Sequence, residues 1–144
     1  MKRVFSIANA LIMILEEYFL PLLILTIRIW IARIFIYSGI SKILNWSSTI
    51  TLFKYEYQFP YLNHVLWAYI STATELISPI LITIGLFTRL AAFPMLIMTA
   101  VIQLTYLQVS EHYYWVMLLG ILILFGPSKI SVDYYIRYKY IDQK

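Results

Sequence analysis

The stretch LPLLILTIRIWIARIFIYSGISKIL, residues 20–44, decides how this chain folds. A helix that crosses a bilayer needs about 20 predominantly apolar residues, and this run supplies them with only Arg28, Arg33 and Lys42 as charges. Pro21 falls in the first turn, where a missing N–H costs nothing. Working outward, residues 65–84, 89–109 and 110–126 form three more apolar stretches. Pro79 is an expected kink in the second, and Pro94 sits in the first turns of the third. The fourth has a short core, His112 to Phe125, which Ser110 and Glu111 extend or snorkelling ends accommodate.

Composition points the same way. Of 144 residues 62% are hydrophobic and 12% charged, against about 45–50% and about 25% in soluble domains. So small a globule cannot hide that much apolar surface from water, and the mean hydropathy is +0.79. The expected fold class is therefore all-α, a polytopic membrane protein built as a bundle of four transmembrane helices. Its partner is the lipid bilayer, and nucleic acid is excluded. With no cysteine there is no disulfide, thiol redox chemistry, Cys-held metal cluster or covalent haem. Two histidines, His64 and His112, give no metal site. Gly-rich phosphate loops and Ser-His-Asp signatures are absent.

Residues 1–19 begin with Lys2 and Arg3 and continue as an apolar run, in the manner of a signal peptide. Glu16 and Glu17 close the run and no small-residue cleavage site follows. An N-terminal interfacial helix that feeds the first span is the better reading. The tail, 127–144, carries Tyr, Lys and Arg residues suited to a surface helix that Ser131 or Asp133 caps. Lys2, Arg3, Arg89, Lys129, Arg137, Lys139 and Lys144 fall on one side of the spans, and only Lys42 and Lys54 on the other. By the positive-inside rule both termini are cytoplasmic. The opposite loop, 45–64, is rich in aromatics (Trp46, Phe53, Tyr55, Tyr57, Phe59, Tyr61), which reads either as an interfacial belt or as a lid over an outward pocket.

Charges inside a span cost about 2.5–3.5 kcal/mol each at mid-bilayer, so they are expected to face the bundle and to pair. Counting about 1.5 Å per residue from the outer ends of the first two spans puts Arg33 and Glu75 at one level, with Arg28 roughly 7 Å deeper. Arg33, Tyr37 and Ile40 share one helical stripe; Arg28, Ala32, Phe35, Gly39 and Lys42 share another. Glu75 lies with Ala68, Ser71, Ser78 and Pro79 on a small-residue face that allows close helix approach. Such charges either lock two spans in register or form a polar site for a ligand, proton or quinone headgroup. Gln103, Tyr106, His112 and Trp115 belong to the same outer half and are candidates to line an outward-opening cavity.

Several motifs carry a family resemblance. Arg28, Gly39 and Lys42 resemble the R…G-x-x-K pattern of the DoxX family. Glu75-Leu76 followed by GLFTRLA at 85–91 resembles its E-L…G-L-F-T-R-L-A segment, and GPSKISVD at 126–133 its closing G-P-G-R-L-S-L-D. Pro60 falls at the family's loop proline, and the likeness covers about residues 24–135. Arg33 departs from the family's apolar residue, Ser38 from its frequent His, and Ser128 from its Gly. The resemblance implies a four-helix bacterial inner-membrane protein with Arg28, Lys42, Glu75 and Arg89 as family-type charges. Some relatives are the small subunit of thiosulfate:quinone oxidoreductase; others accompany oxidative-stress complexes or peptide-modifying enzymes.

The resulting expectation is a membrane anchor or accessory subunit of a quinone-linked oxidoreductase system. No catalytic centre of the chain's own is identifiable, so it is at most a subunit of such an enzyme. Arg28, Arg33, Tyr37, Lys42, Glu75 and Gln103 are the candidate residues around a quinone or another polar ligand. Electrons would come from an oxidoreductase partner. The alternatives are a small transporter for an anion or metabolite, and a ligand-free scaffold. Four short spans without a large soluble domain also imply self-association or a hetero-complex.

Overall fold

The computed structural model describes residues 9–57, 63–105 and 108–140. Within them the chain forms six α-helices and no strand: α1 (Leu20–Leu44), α2 (Trp46–Leu52), α3 (His64–Ile84), α4 (Thr88–Thr105), α5 (Ser110–Phe125) and α6 (Val132–Tyr140). The apolar segment before α1 is itself helical, so one helix runs from Asn9 to Leu44 and passes through a π-helical turn at Leu15–Phe19. A second π-helical turn, Phe53–Tyr57, continues α2.

Three helices, Asn9–Leu44, His64–Ile84 and Thr88–Thr105, are long and apolar enough to cross a membrane. The 16 residues of α5 are equally apolar but span only about 24 Å. Packing runs in a ring, α1 on α3, α3 on α4, α4 on α5 and α5 back on α1. The core of the ring is Ile24, Ile27, Ile31 and Phe35 of α1, Ile82 of α3, Ala91, Ala92 and Met95 of α4, and Leu119 and Leu122 of α5. Outward, the same helices present Leu22, Ile29, Ile77, Ile80, Phe93, Ile97 and Leu124, all exposed. Helices apolar on every side belong in lipid, and the protein is an all-α integral membrane bundle.

Helix ends decide what each end of the bundle can do. Asn45 leaves helical geometry and ends α1, while its side-chain amide donates to Ser41 O (3.2 Å). Thr49 then ties α2 back, its hydroxyl 3.1 Å from Lys42 O and 3.1 Å from Asn45 O. Asn63 caps α3 by accepting from Val65 N (2.9 Å). At its other end α3 stops on Gly85, in left-handed geometry (φ 74°), with Gly85 N and Leu86 N returning to Leu81 O at 2.9 Å each. Phe53 and Tyr57 turn inward to build a second small core with Ala68, packed by Trp46, Leu52, Trp67 and Ile102. The aromatic segment therefore closes one end of the bundle as a roof, while Tyr55 and Tyr69 remain exposed. Phe59 and Tyr61 of that segment, and Pro60, lie outside the described residues. The roofed end is the α2 end of the bundle, and the opposite one the α6 end.

Candidate functional site

Close approach of α1 and α3 builds the site. A Cβ at Gly39 would stand 2.8 Å from Leu76 Cδ2 and 3.2 Å from Glu75 Cβ, so any side chain there must push Leu76 aside or hold the helices further apart. Opposite Gly39, the small residues Ala68, Ser71, Thr72 and Ser78 are buried along α3, with Glu75 only 2% exposed. Lys42 reaches into this contact. Its ammonium donates to Glu75 Oε1 and to Ser71 Oγ (3.3 Å), and Ser38 lies beside the carboxyl. Among the described residues nothing donates to Glu75 Oε2, which is buried. Pro79, four residues on, has no N–H to offer the Glu75 carbonyl, so the helix ladder is also open at this position.

Glu75 thus pairs with Lys42, and the expected partners Arg33 and Arg28 are both elsewhere. Side chains on a helix lean toward its N-terminus. In the antiparallel pair α1/α3, Lys42 leans toward the bundle centre and Glu75 leans up to meet it. Arg33 leans away. Depth counting also missed that α3 overhangs α1, since the first turns of α3 stand beside the α2 roof rather than beside α1. Arg33 departs further from expectation, because it faces outward between exposed Trp30 and Tyr37. Tyr37, 78% exposed, is likewise outside the site.

Arg28 is 1% exposed and serves the α6 end. Nε donates to Ile82 O (2.6 Å), Nη2 to Thr83 O (2.6 Å) and Nη1 to Ile130 O (2.7 Å). They give Thr83 O a donor, add a second donor to Ile82 O beside Gly85 N (3.1 Å), and fasten the 126–131 loop to the end of α3. A Cβ at Gly85 would lie 2.5 Å from Arg28 Nη2 and from Ser131 Cβ. Asp133, expected to cap its own helix, caps α4 instead. It accepts from Phe87 N (2.9 Å) and Thr88 N (3.1 Å), while Asp133 N donates to Gly85 O (2.9 Å). Ser131 takes the other expected role, its Oγ accepting from Tyr134 N of α6 (3.1 Å). Arg89 donates to Leu124 O (3.3 Å) at the end of α5 and lies against Gly126, whose φ is +69°.

The remaining candidates form a separate cluster at the α2 end. Gln103 Oε1 accepts from Val109 N (3.1 Å) and stands 2.8 Å from buried His112 Nδ1. The His112 ring meets Trp115 edge-on at 4.9 Å, and Trp115 packs on Phe35 at 6.0 Å. This set binds the start of α5 to α4; Tyr106 lies outside the described residues. None of its described members lines the cavity beneath the aromatic roof. That cavity, about 220 Å³, lies between α3 and α4 under the roof, lined by Phe53, Tyr57, Trp67, Ser71, Pro94 and Met98 among others. Ser71 belongs both to the cavity wall and to the Lys42–Glu75 group. The sequence offered a pocket lidded by the aromatic segment but lined it with Gln103, Tyr106, His112 and Trp115; the α3 and α4 residues that form its wall left no signal of their own.

No curated protein and no solved structure matches the chain. The DoxX family model matches residues 23–108, more than half of the chain and the whole of the Lys42–Glu75 group, so the chain belongs to the DoxX family.

Proposed function

We propose that the protein is a membrane anchor or accessory subunit of a quinone-linked oxidoreductase, with its headgroup site at Lys42, Glu75 and Ser71. One observation carries the reading. A buried ion pair with a free carboxylate oxygen shares a serine with an apolar cavity. A purely architectural pair is better served when every lone pair is satisfied. At about 220 Å³ the cavity is below the range of about 300–1,000 Å³ usual for drug-sized ligands, which suits one ring or a chain segment. The residues fit a quinone: Lys42 and Ser71 carry donors for a ring carbonyl, Glu75 Oε2 holds a proton position, and Phe53 and Tyr57 cover an apolar ring and exclude water.

When bound, a quinone supplies acceptance of two electrons and two protons; the electrons come from the oxidoreductase partner. Lys42, rather than Arg28 or Arg33, orients the carbonyl. The α6 end faces the cytoplasm of a bacterial inner membrane, because Arg28, Arg89, Lys129, Arg137 and Lys139 all lie on that side. The test is native mass spectrometry of the protein extracted gently from its own membranes, beside the Glu75→Gln variant. The expected result is co-purified isoprenoid quinone and a redox protein, with quinone reduction lost in the variant while the complex persists. A bare chain in controlled extraction removes the reading. Flux without any partner would then mark a transporter, and a loss of folding alone a scaffold.

A further inference from the structure

We infer that Arg33, with Trp30 and Tyr37, forms a binding site for the phosphate of an anionic phospholipid on the outer surface of α1. This inference is independent of the quinone reading. Trp30 (60% exposed), Arg33 and Tyr37 line a shallow hollow on the lipid-facing side of the bundle, floored by Ile34. Among the described residues none accepts a hydrogen bond or an ion pair from Arg33. A guanidinium on a lipid-facing helix surface needs an anion, and none of the described carboxylates lies at that level.

Depth defines which anion can come. Arg33 lies five residues, about 7 Å, inward from Arg28, and Arg28 marks the α6 end by holding the Ile82 and Thr83 carbonyls of the last turn of α3. Helical side chains lean toward the N-terminus of their helix, which for α1 is the α6 end. Arg33 therefore snorkels to the boundary of that leaflet, where phospholipid phosphates lie. Trp30 is one turn closer to the same boundary, at the depth where indoles favour the interface.

A second copy of the chain is a poorer occupant. Glu16 and Glu17 lie more than ~20 Å along the helix from Arg33. Glu56 and Glu111 are at the α2 end, Glu75 is committed to Lys42, and Asp133 to the start of α4. A parallel neighbour would therefore set Arg33 against Arg33 with none of the described carboxylates between them. Charge complementarity leaves the lipid phosphate.

The test compares retention of phosphatidylglycerol and phosphatidylcholine by native mass spectrometry for the wild type, Arg33→Gln, Arg33→Lys and Lys54→Gln, the last a cation at the opposite end. The wild type is expected to retain phosphatidylglycerol preferentially. Arg33→Gln should weaken that preference about five-fold, Arg33→Lys should keep part of it, and Lys54→Gln all of it. Wild-type protein treated with phosphatidylglycerol carrying a headgroup photolabel should be modified within residues 30–37, a readout that needs no variant to fold. Equal retention of both lipids, labelling spread evenly over the chain, or displacement by inorganic phosphate would each overturn the proposal. So would a co-purifying protein that Arg33→Gln releases while the lipid stays.

Discussion

At the α6 end, Arg28, Arg89 and Asp133 each direct their polar atoms at the backbone of helix ends and of the 126–131 loop: the carbonyls of Ile82, Thr83 and Ile130, that of Leu124, and the amides of Phe87 and Thr88. At the α2 end, Lys42 and Glu75 bond each other and a serine on a cavity wall, and one carboxylate oxygen is left over. All five side chains are family-type or motif residues, yet they answer different demands. In lipid a backbone group without a partner has no water to turn to, so the α6-end charges are built into the architecture. The α2-end pair satisfies no helix end. It can be removed without breaking the backbone's own hydrogen bonding, which is what a site given over to ligand binding looks like.

The largest effect is expected at the clamp. Arg28→Met strips Thr83 O and Ile130 O of their donor, leaves Ile82 O to Gly85 N alone, and should cost on the order of 3–5 kcal/mol, as breaking a buried charged network does. Gly85→Ala should be comparably damaging, because its φ of 74° disfavours any side chain and the new Cβ would meet Arg28. Reversible unfolding in mixed micelles measures both. A wild-type midpoint for Arg28→Met would erase the contrast between the two ends.

Next comes the pair. Lys42→Met alone leaves Glu75 buried without its cation and should lower stability by about 3 kcal/mol or more, while Lys42→Met with Glu75→Leu should recover most of that loss. No such double replacement restores the clamp, since backbone carbonyls cannot be substituted away. If the double variant stays as unstable as the single one, Lys42 and Glu75 are architecture too, and the ends do not differ.

How far the sequence announced these two ends differs as well. Helical periodicity put Arg28, Ala32, Phe35, Gly39 and Lys42 on one stripe and Arg33 on another, and the small-residue face around Glu75 was readable in the same way. The outward facing of Arg33 was not, because a charge within a span is expected to turn toward the bundle. Pairing was not. Counting rises along two helices ignores both the lean of each side chain and the overhang of α3, and these two moved the partner of Glu75 from Arg33 to Lys42. The inward turn of Phe53 and Tyr57 left no periodic signal, because α2 and its π-helical continuation are too short to show one. Nor does any local rule tell Asp133 to cap α4, whose first turn is 45 residues earlier; the GLFTRLA and GPSKISVD segments mark the contact only when read together.

Asp133→Ala tests that distant cap and should cost about 1–2 kcal/mol. Asp133→Asn should retain much of the stability, because an amide oxygen still accepts from Phe87 N or Thr88 N. Thermal midpoints of the two variants order the result. Equal losses would mean that charge at the start of α4 outweighs the hydrogen bonds.

The smallest effect is expected where the same end meets water. Lys129 and Glu17 lie 3.2 Å apart with side chains 49% and 56% exposed, and they join the loop before α6 to the helix turn before α1. An ion pair in that setting is worth about 0–1 kcal/mol, so Lys129→Gln should barely move the unfolding midpoint. Its value lies in what it reports. In water the coupling of the pair, measured by a double-mutant cycle with Glu17→Gln, should fade as the screening length drops from about 10 Å at 0.1 M salt to about 3 Å at 1 M. Headgroups around the pair would shield it from bulk salt and leave the coupling intact. A salt-sensitive coupling therefore puts Glu17 outside the bilayer and the clamp at its edge, one turn below the level that Arg33 reaches. A salt-insensitive one moves the boundary outward past Glu17, buries the clamp more deeply and makes every carbonyl that Arg28 holds costlier to expose.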